Sequence, residues 1–289
     1  MRYYLLPTAS GERLIAETPD GAYDLTAAKR TLTSFSQLAE SADLAETSVD
    51  AIASGLIDSA PEVSKDRLDD EATLPLRPDE VWAAGVTYQI SEQARENESG
   101  MPEMYLDVYQ NERPEIFFKA TPNRTVGPGE AIGIRADSDW DVPEPELGIV
   151  LYDGEIVGYT IGNDVSSRSI EGSNPLYLPQ AKVYDRCCAV GPCVATADSI
   201  GDPHELEMSM SITRDSETVF DGTTSTSEMV RDCEELVSYY RRHNHVPKLA
   251  VLLTGTSLVP DDDFTLAEGD VVRISIENVG SIENTVITV

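Results

Sequence analysis

The chain has 289 residues, 40% of them hydrophobic and 25% charged, enough for a sizeable globular core. Its 52 acidic and 21 basic residues leave a formal net charge of −31, which disfavours nucleic acid and anionic membranes as partners. No apolar run approaches the roughly 20 residues of a membrane span, and residues 1–8 are too short an apolar stretch for a signal peptide.

The expected address is therefore the cytoplasm. Acidic residues are dispersed along the chain, and only five lysines occur: Lys29, Lys65, Lys119, Lys182 and Lys248. Self-repulsion on this scale is what molar salt screens, so the pattern reads as that of a halophile with a salty cytosol. Cys187, Cys188, Cys193 and Cys233 form neither a disulfide framework nor a C-x-x-C pair and read as reduced structural thiols.

In chain order, residues 3–6 and 13–17 read as strands separated by a Ser10-Gly11 turn. Residues 34–40 and 44–54 carry apolar side chains at helical spacing, with Thr33 or Ser34 and Asp43 as N-caps. Residues 58–76 are acidic and read as a connector, which divides the chain into a small N-terminal α/β domain with linker (1–76) and a larger domain (77–289). Beyond residue 77 short apolar runs dominate, at 81–86, 115–120, 131–136, 147–151, 155–161, 208–213, 249–254, 271–277 and 284–289. Only residues 226–242 have the length and period of a good helix. Many strands with few intervening helices predict an α+β protein whose larger domain is a mixed-β roll or barrel.

The segment Asp141-Val142-Pro143-Glu144-Pro145-Glu146-Leu147 places two carboxylates on one side of an extended chain. Pro143 and Pro145 push the residues before them toward extended conformations and donate no ladder hydrogen bonds. A Glu-x-Glu pair on a solvated edge is also common in so acidic a chain. Further on, an apolar run ends in Asn163-Asp164, a place for a third oxygen ligand, although an aspartate there also suits a turn or a helix N-cap. Lys182 then stands in a semi-apolar segment of a lysine-poor chain. Three carboxylates make a hard oxygen set for Mg²⁺, with Mn²⁺ or Ca²⁺ as substitutes.

Taken in order, Asp141-x-x-Glu144-x-Glu146-Leu147, Gly158-Tyr159-x4-Asn163-Asp164-Val165-Ser166-x-Arg168 and Lys182-x-x-Asp185 resemble the core signature of the fumarylacetoacetate hydrolase superfamily. Phe118-Lys119, Thr254-Gly255-Thr256 and Glu268-Gly269-Asp270 support the resemblance, which runs from about residue 80 to the C-terminus. It implies a mixed-β catalytic domain, often in a homodimer or homotetramer. Glu144, Glu146 and Asp164 would hold the metal, with Lys182 beside it and Thr256 near the carboxylate of a small 2-oxo acid. Hydrolytic and decarboxylating members usually carry Tyr-x-x-His-x-x-Glu on a covering segment, but here Tyr88 is followed by Ser91 and Ala94 at those two positions. A serine without an activator is no base at neutral pH. The Gly85-Val86-Thr87-Tyr88 form is instead similar to the branch that dehydrates 2-keto-3-deoxy-pentonates.

The resemblance therefore implies a Mg²⁺-dependent hydro-lyase. Lys182, its pKa pushed down by cation and burial, is the candidate base, and Glu115 the candidate acid with Glu112 as a fallback. Lys119, Tyr88, Ser91 and Thr256 are the candidate substrate contacts, and residues 98–111 a possible covering segment. Rival readings are an acylpyruvate hydrolase or oxaloacetate decarboxylase on the same metal, a Schiff-base enzyme using Lys182, and a silent keto-acid binder.

Overall fold

The structure, a computed structural model, describes residues 1–88 and 111–289. Strands β1 (Arg2–Thr8) and β2 (Gly11–Glu17) form an antiparallel hairpin, followed by β3 (Ala22–Asp24) and helix α1 (Leu25–Ala28). Helix α2 (Phe35–Leu44) starts at Ser34, whose side chain accepts the Gln37 N–H as an N-cap should. The next helix begins later than its apolar spacing suggests. It is α3 (Val49–Ile57), capped by Ser48 and not Asp43. Leu44 ends α2 at 80% exposure and Glu46 takes a positive φ of 50°, so the chain leaves helical geometry between the two. The expected connector is also more structured: it carries β4 (Glu62–Val63) and α4 (Asp66–Glu71), whose Leu68 docks in the core at 3% exposure.

The remaining strands are β5 (Glu80–Gly85), β6 (Glu115–Ala120), β7 (Thr125–Val126), β8 (Ile132–Ile134), β9 (Asp141–Val142), β10 (Pro145–Tyr152), β11 (Glu155–Asp164) and β12 (Ser166–Ser167). After helices α5 (Arg168–Ser173) and α6 (Leu178–Lys182) comes β13 (Cys188–Ala195). Helix α7 (Ala197–Ile200), β14 (Glu207–Arg214), β15 (Glu217–Ser225), helix α8 (Cys233–Arg241), β16 (Leu249–Leu253), β17 (Val271–Ile276) and β18 (Gly280–Thr288) complete the chain.

One large sheet runs β4-β3-β2-β1-β13-β11-β10-β16-β5-β6, with β7 alongside β13. A second sheet runs β15-β14-β17-β18-β8. The fold is thus α+β and dominated by sheets. Both strand paths are open, so the roll is built of open sheets and no barrel closes among the described strands. The N-terminal strands belong to the large sheet, because β1 pairs antiparallel with β13 through Arg2–Ala195 and Tyr3–Val194. The buried core likewise mixes residues such as Leu6 and Ile15 with Leu147 and Ile161.

The helix expected over 226–242 is split. Thr226–Glu228 form a 3₁₀ turn, and α8 starts only after Asp232, whose side chain accepts the Glu235 N–H. In between, Val230 N–H donates to Thr87 O at 2.8 Å and Met229 bridges Tyr88. Those backbone groups are committed to the segment just after β5 and cannot also propagate a helix. Strand β13, absent from the apolar runs, is buried throughout and contains Pro192, a residue that normally argues against a central strand. All four cysteines are buried and free. No helix of the described residues is long and apolar enough to cross a membrane.

Candidate active site

Antiparallel pairing of β10 with β11 places Pro145 opposite Asn163 and Glu146 opposite Gly162. Just ahead of β10, Glu144 N–H donates to Asn163 Oδ1 at 3.2 Å, and its carbonyl accepts the Asp164 N–H at 2.9 Å. Two residues apart on an extended chain, Glu144 and Glu146 point to one side, where Asp164 ends β11. Ligand oxygens of the three lie within 4.8 Å of one another. The residues are only 7%, 1% and 0% exposed. Sequence order alone had suggested this grouping; the strand register creates it.

Cations and donors frame the carboxylates. Lys182, at the end of α6, donates to Glu144 Oε2 at 2.8 Å, Asp164 Oδ2 at 3.1 Å and Ser166 Oγ at 2.6 Å. From β6, Lys119 reaches Asp164 Oδ1 at 2.5 Å and donates to the carbonyls of Val165 and Lys182 at 2.8 and 2.6 Å. Arg168 pairs with Glu144 Oε1 at 3.1 Å. Glu146 receives a backbone donor, Gly255 N–H, at 2.6 Å.

These partners set the protonation states. Burial raises the Asp164 carboxyl, but Lys119 and Lys182 outweigh it and hold it below the ordinary carboxylate range. Burial, Asp164 and Glu144 push Glu146 well above that range, against the weaker pull of Lys182 and the Gly255 N–H. For Lys182 burial favours the neutral amine, yet Asp164, Glu144 and Glu171 together raise it well above the usual lysine value. These carboxylates hold the ammonium charged, so burial alone does not produce the expected depression, which also invoked a bound cation. A buried triad made only of oxygen donors, one of them destabilised as an anion, fits a hard divalent cation, which would supply the missing positive charge.

The triad opens into a cavity of about 740 Å³ also lined by Lys182, Glu115 and Thr256. Glu115 stands opposite Gly85 across β5 and β6, and a Cβ at Gly85 would collide with Glu115 Oε2. Burial, then the Glu171 carboxylate, pushes Glu115 up to about 7, with Lys182 opposing and Glu144 and Asp164 adding to the rise. Glu112 lies apart, exposed, accepting from Tyr239 Oη at 3.2 Å. Lys119 is fully buried on the far side of Asp164 and is not among the cavity residues. Tyr88 is also fully buried; burial and the nearby Glu146 raise its phenol. Ser91, Ala94 and residues 98–110 lie outside the described residues.

Sequence reasoning assigned no role to Thr87, Arg168, Glu171 or Gly255. Arg168, Thr87 and Gly255 stand inside the motifs named above, which mark the positions but not the contacts. Thr87 acts through tertiary contact: its Oγ1 donates to Thr254 O at 2.5 Å and crowds the left-handed turn at Gly255, where φ is 79°.

Comparison with known proteins gives this site a family. Residues 80–287 match the model of the fumarylacetoacetate hydrolase C-terminal domain. The chain is 63% identical, over the full length of both, to a probable 2-keto-3-deoxyxylonate dehydratase of Haloferax volcanii. It is 46% identical over 216 residues, 73% of this chain and 72% of the relative, to the 2-dehydro-3-deoxy-D-arabinonate dehydratase of Saccharolobus solfataricus. Among solved structures, a 2-keto-3-deoxy-D-arabinonate dehydratase complexed with magnesium and 2,5-dioxopentanoate superposes with a TM-score of 0.85 at 34% identity, covering 100% of this chain and 99% of the other. The chain belongs to the fumarylacetoacetate hydrolase family.

Proposed function

We infer that this protein is a Mg²⁺-dependent hydro-lyase that converts a 2-keto-3-deoxy-pentonate into 2,5-dioxopentanoate, in a salt-adapted cytosol. The observation that carries the reading is the buried Glu144–Glu146–Asp164 triad with Lys182 bridging two of its members on the floor of a cavity. The dehydratase relatives and the magnesium and 2,5-dioxopentanoate of the structural neighbour support it.

Glu144, Glu146 and Asp164 would hold the ion. When bound, Mg²⁺ supplies Lewis acidity toward the 1-carboxylate and 2-oxo group of the substrate. Thr256, on the cavity wall, contacts the substrate carboxylate. Once Glu144 and Asp164 serve a cation, their hold on the Lys182 ammonium weakens, and Lys182 becomes able to take the C3 proton. Glu115, whose carboxyl burial pushes up to about 7 in the metal-free protein, donates a proton to the departing C4 hydroxyl. One water is lost, and proton shifts from C5 and the oxygens toward carbon leave an aldehyde at C5. Lys119 in this reading is a fixed charge that orients Asp164 and the end of α6.

The test is an assay of purified protein with Mg²⁺ and 2-keto-3-deoxy-D-xylonate in molar KCl, the semialdehyde followed with a coupled dehydrogenase. Turnover that EDTA abolishes and Mg²⁺ restores is expected, with no borohydride-trapped adduct on Lys182. Cleavage of an acylpyruvate without dehydration of the deoxy-pentonate overturns the reading. Sedimentation checks the homodimer or homotetramer that we carry with it.

A further inference from the structure

The cavity runs from a buried floor to an exposed rim. Its floor is the triad, and at the rim stands Glu228, which is exposed. The same cavity is lined by a hydroxyl pair from a strand of the second sheet and a loop that follows a strand of the first. Thr224, on β15, has its Oγ1 2.7 Å from Ser257 Oγ in the loop after β16, and both hydroxyls lie 3.4 Å from Glu228 Oε2. The catalytic steps above use none of these three side chains.

Their placement relative to the metal ligands is fixed by the backbone. Gly255 N–H touches Glu146, and Ser257 is two residues further on, within about 7 Å of Gly255 even if the chain is extended. Leu258 presses this loop onto β15, where a Cβ at Gly222 would collide with it. On the other side, Val230 N–H donates to Thr87 O at 2.8 Å, which ties the Glu228 turn to the same Thr87 whose hydroxyl holds Thr254. These contacts join the loop, β15 and the Glu228 turn to the strand end behind the triad. A five-carbon chain, with C–C bonds of about 1.5 Å, spans roughly 5 Å from C1 to C5, the same scale as the step from Gly255 to Ser257. Thr224, Ser257 and Glu228 line the cavity into which a molecule anchored by its 2-oxo acid end at the triad would extend.

We propose that Thr224, Ser257 and Glu228 form a subsite for the distal hydroxyl of the substrate, a selectivity that rests on the 2-oxo acid reading of the floor. The hydroxyl pair offers donors and acceptors, and the Glu228 carboxylate accepts a hydroxyl proton. The same carboxylate, with exposed Asp261, Asp262 and Asp263 also on the cavity wall, repels a second carboxylate. The site thus selects a neutral hydroxylated tail over a dicarboxylic 2-oxo acid of similar length.

Steady-state kinetics of Glu228→Gln and of the double variant Thr224→Val/Ser257→Ala test this, with the deoxy-pentonate as substrate and pyruvate and oxaloacetate as inhibitors. For both variants KM is expected to rise about tenfold, the effect of one to two hydrogen bonds. The Mg²⁺ affinity and the pyruvate inhibition constant should stay within twofold of the parent. Glu228→Gln should also strengthen inhibition by oxaloacetate. An unchanged KM, or a pyruvate constant that rises in step with KM, overturns the subsite while leaving the dehydratase reading intact. No turnover of the deoxy-pentonate by the parent enzyme overturns both.

Discussion

Thr87→Val probes whether the polar links behind the triad hold its carboxylates in place. Valine keeps the shape of threonine at a position only 1% exposed but cannot donate to Thr254 O, which accepts a hydrogen bond from the Thr87 hydroxyl at 2.5 Å. A buried carbonyl left without its donor costs about 1–3 kcal/mol. The loss falls on the strand end that leads into Gly255, whose N–H is 2.6 Å from Glu146 Oε2. Outer partners of metal ligands are typically worth about 10–100-fold in affinity, so Mg²⁺ affinity is expected to fall by about that factor. The melting temperature should fall by about 2–4 °C for each kcal/mol lost. Isothermal calorimetry of Mg²⁺ binding in constant KCl, beside thermal melts, reads the two effects separately. Thr87→Ser, which restores the hydroxyl, should recover most of the affinity. A Thr87→Val protein that melts lower yet binds Mg²⁺ as the parent does would refute the positioning role.

Glu146→Gln should abolish measurable Mg²⁺ binding by calorimetry while the protein stays folded by circular dichroism, because amide replaces a carboxylate that is already destabilised as an anion; retained affinity speaks against the triad. Glu115 should titrate near 7 in the metal-free protein by carbon NMR of the carboxyl, and bound Mg²⁺ should lower that value. Because its folded value lies above the ordinary 4.5, the stability it lends is complete below 4.5 and declines as pH rises through 7. Urea melts of Glu115→Gln should lose that decline, and an unchanged pH profile rejects the assignment. Finally, with a net charge of −31, raising KCl from 0.1 to 2 M, which shortens the screening length from about 10 Å to a few Å, should raise the melting temperature. A flat or falling trend counts against salt adaptation.

Short-range rules determined much of this protein. Alternation and proline flanks were enough to set Glu144 and Glu146 on one side of an extended chain, and the Ser34 cap fixed where α2 begins. The ordered motifs through Lys182 identified the family and picked out the carboxylates that the structure gathers, because those residues sit at strand and helix ends that the sequence itself marks. Tertiary structure decided what depends on distant partners. Val230 and Met229 bond to Thr87 and Tyr88, so the 226–242 segment breaks before α8. Buried carboxylates around Lys182 reverse the direction in which burial alone would move it. Glu171 and the Thr224–Ser257 pair carry no local pattern, and Thr87, though inside the Gly85–Tyr88 form, meets Thr254 only because the folded sheets bring the two together.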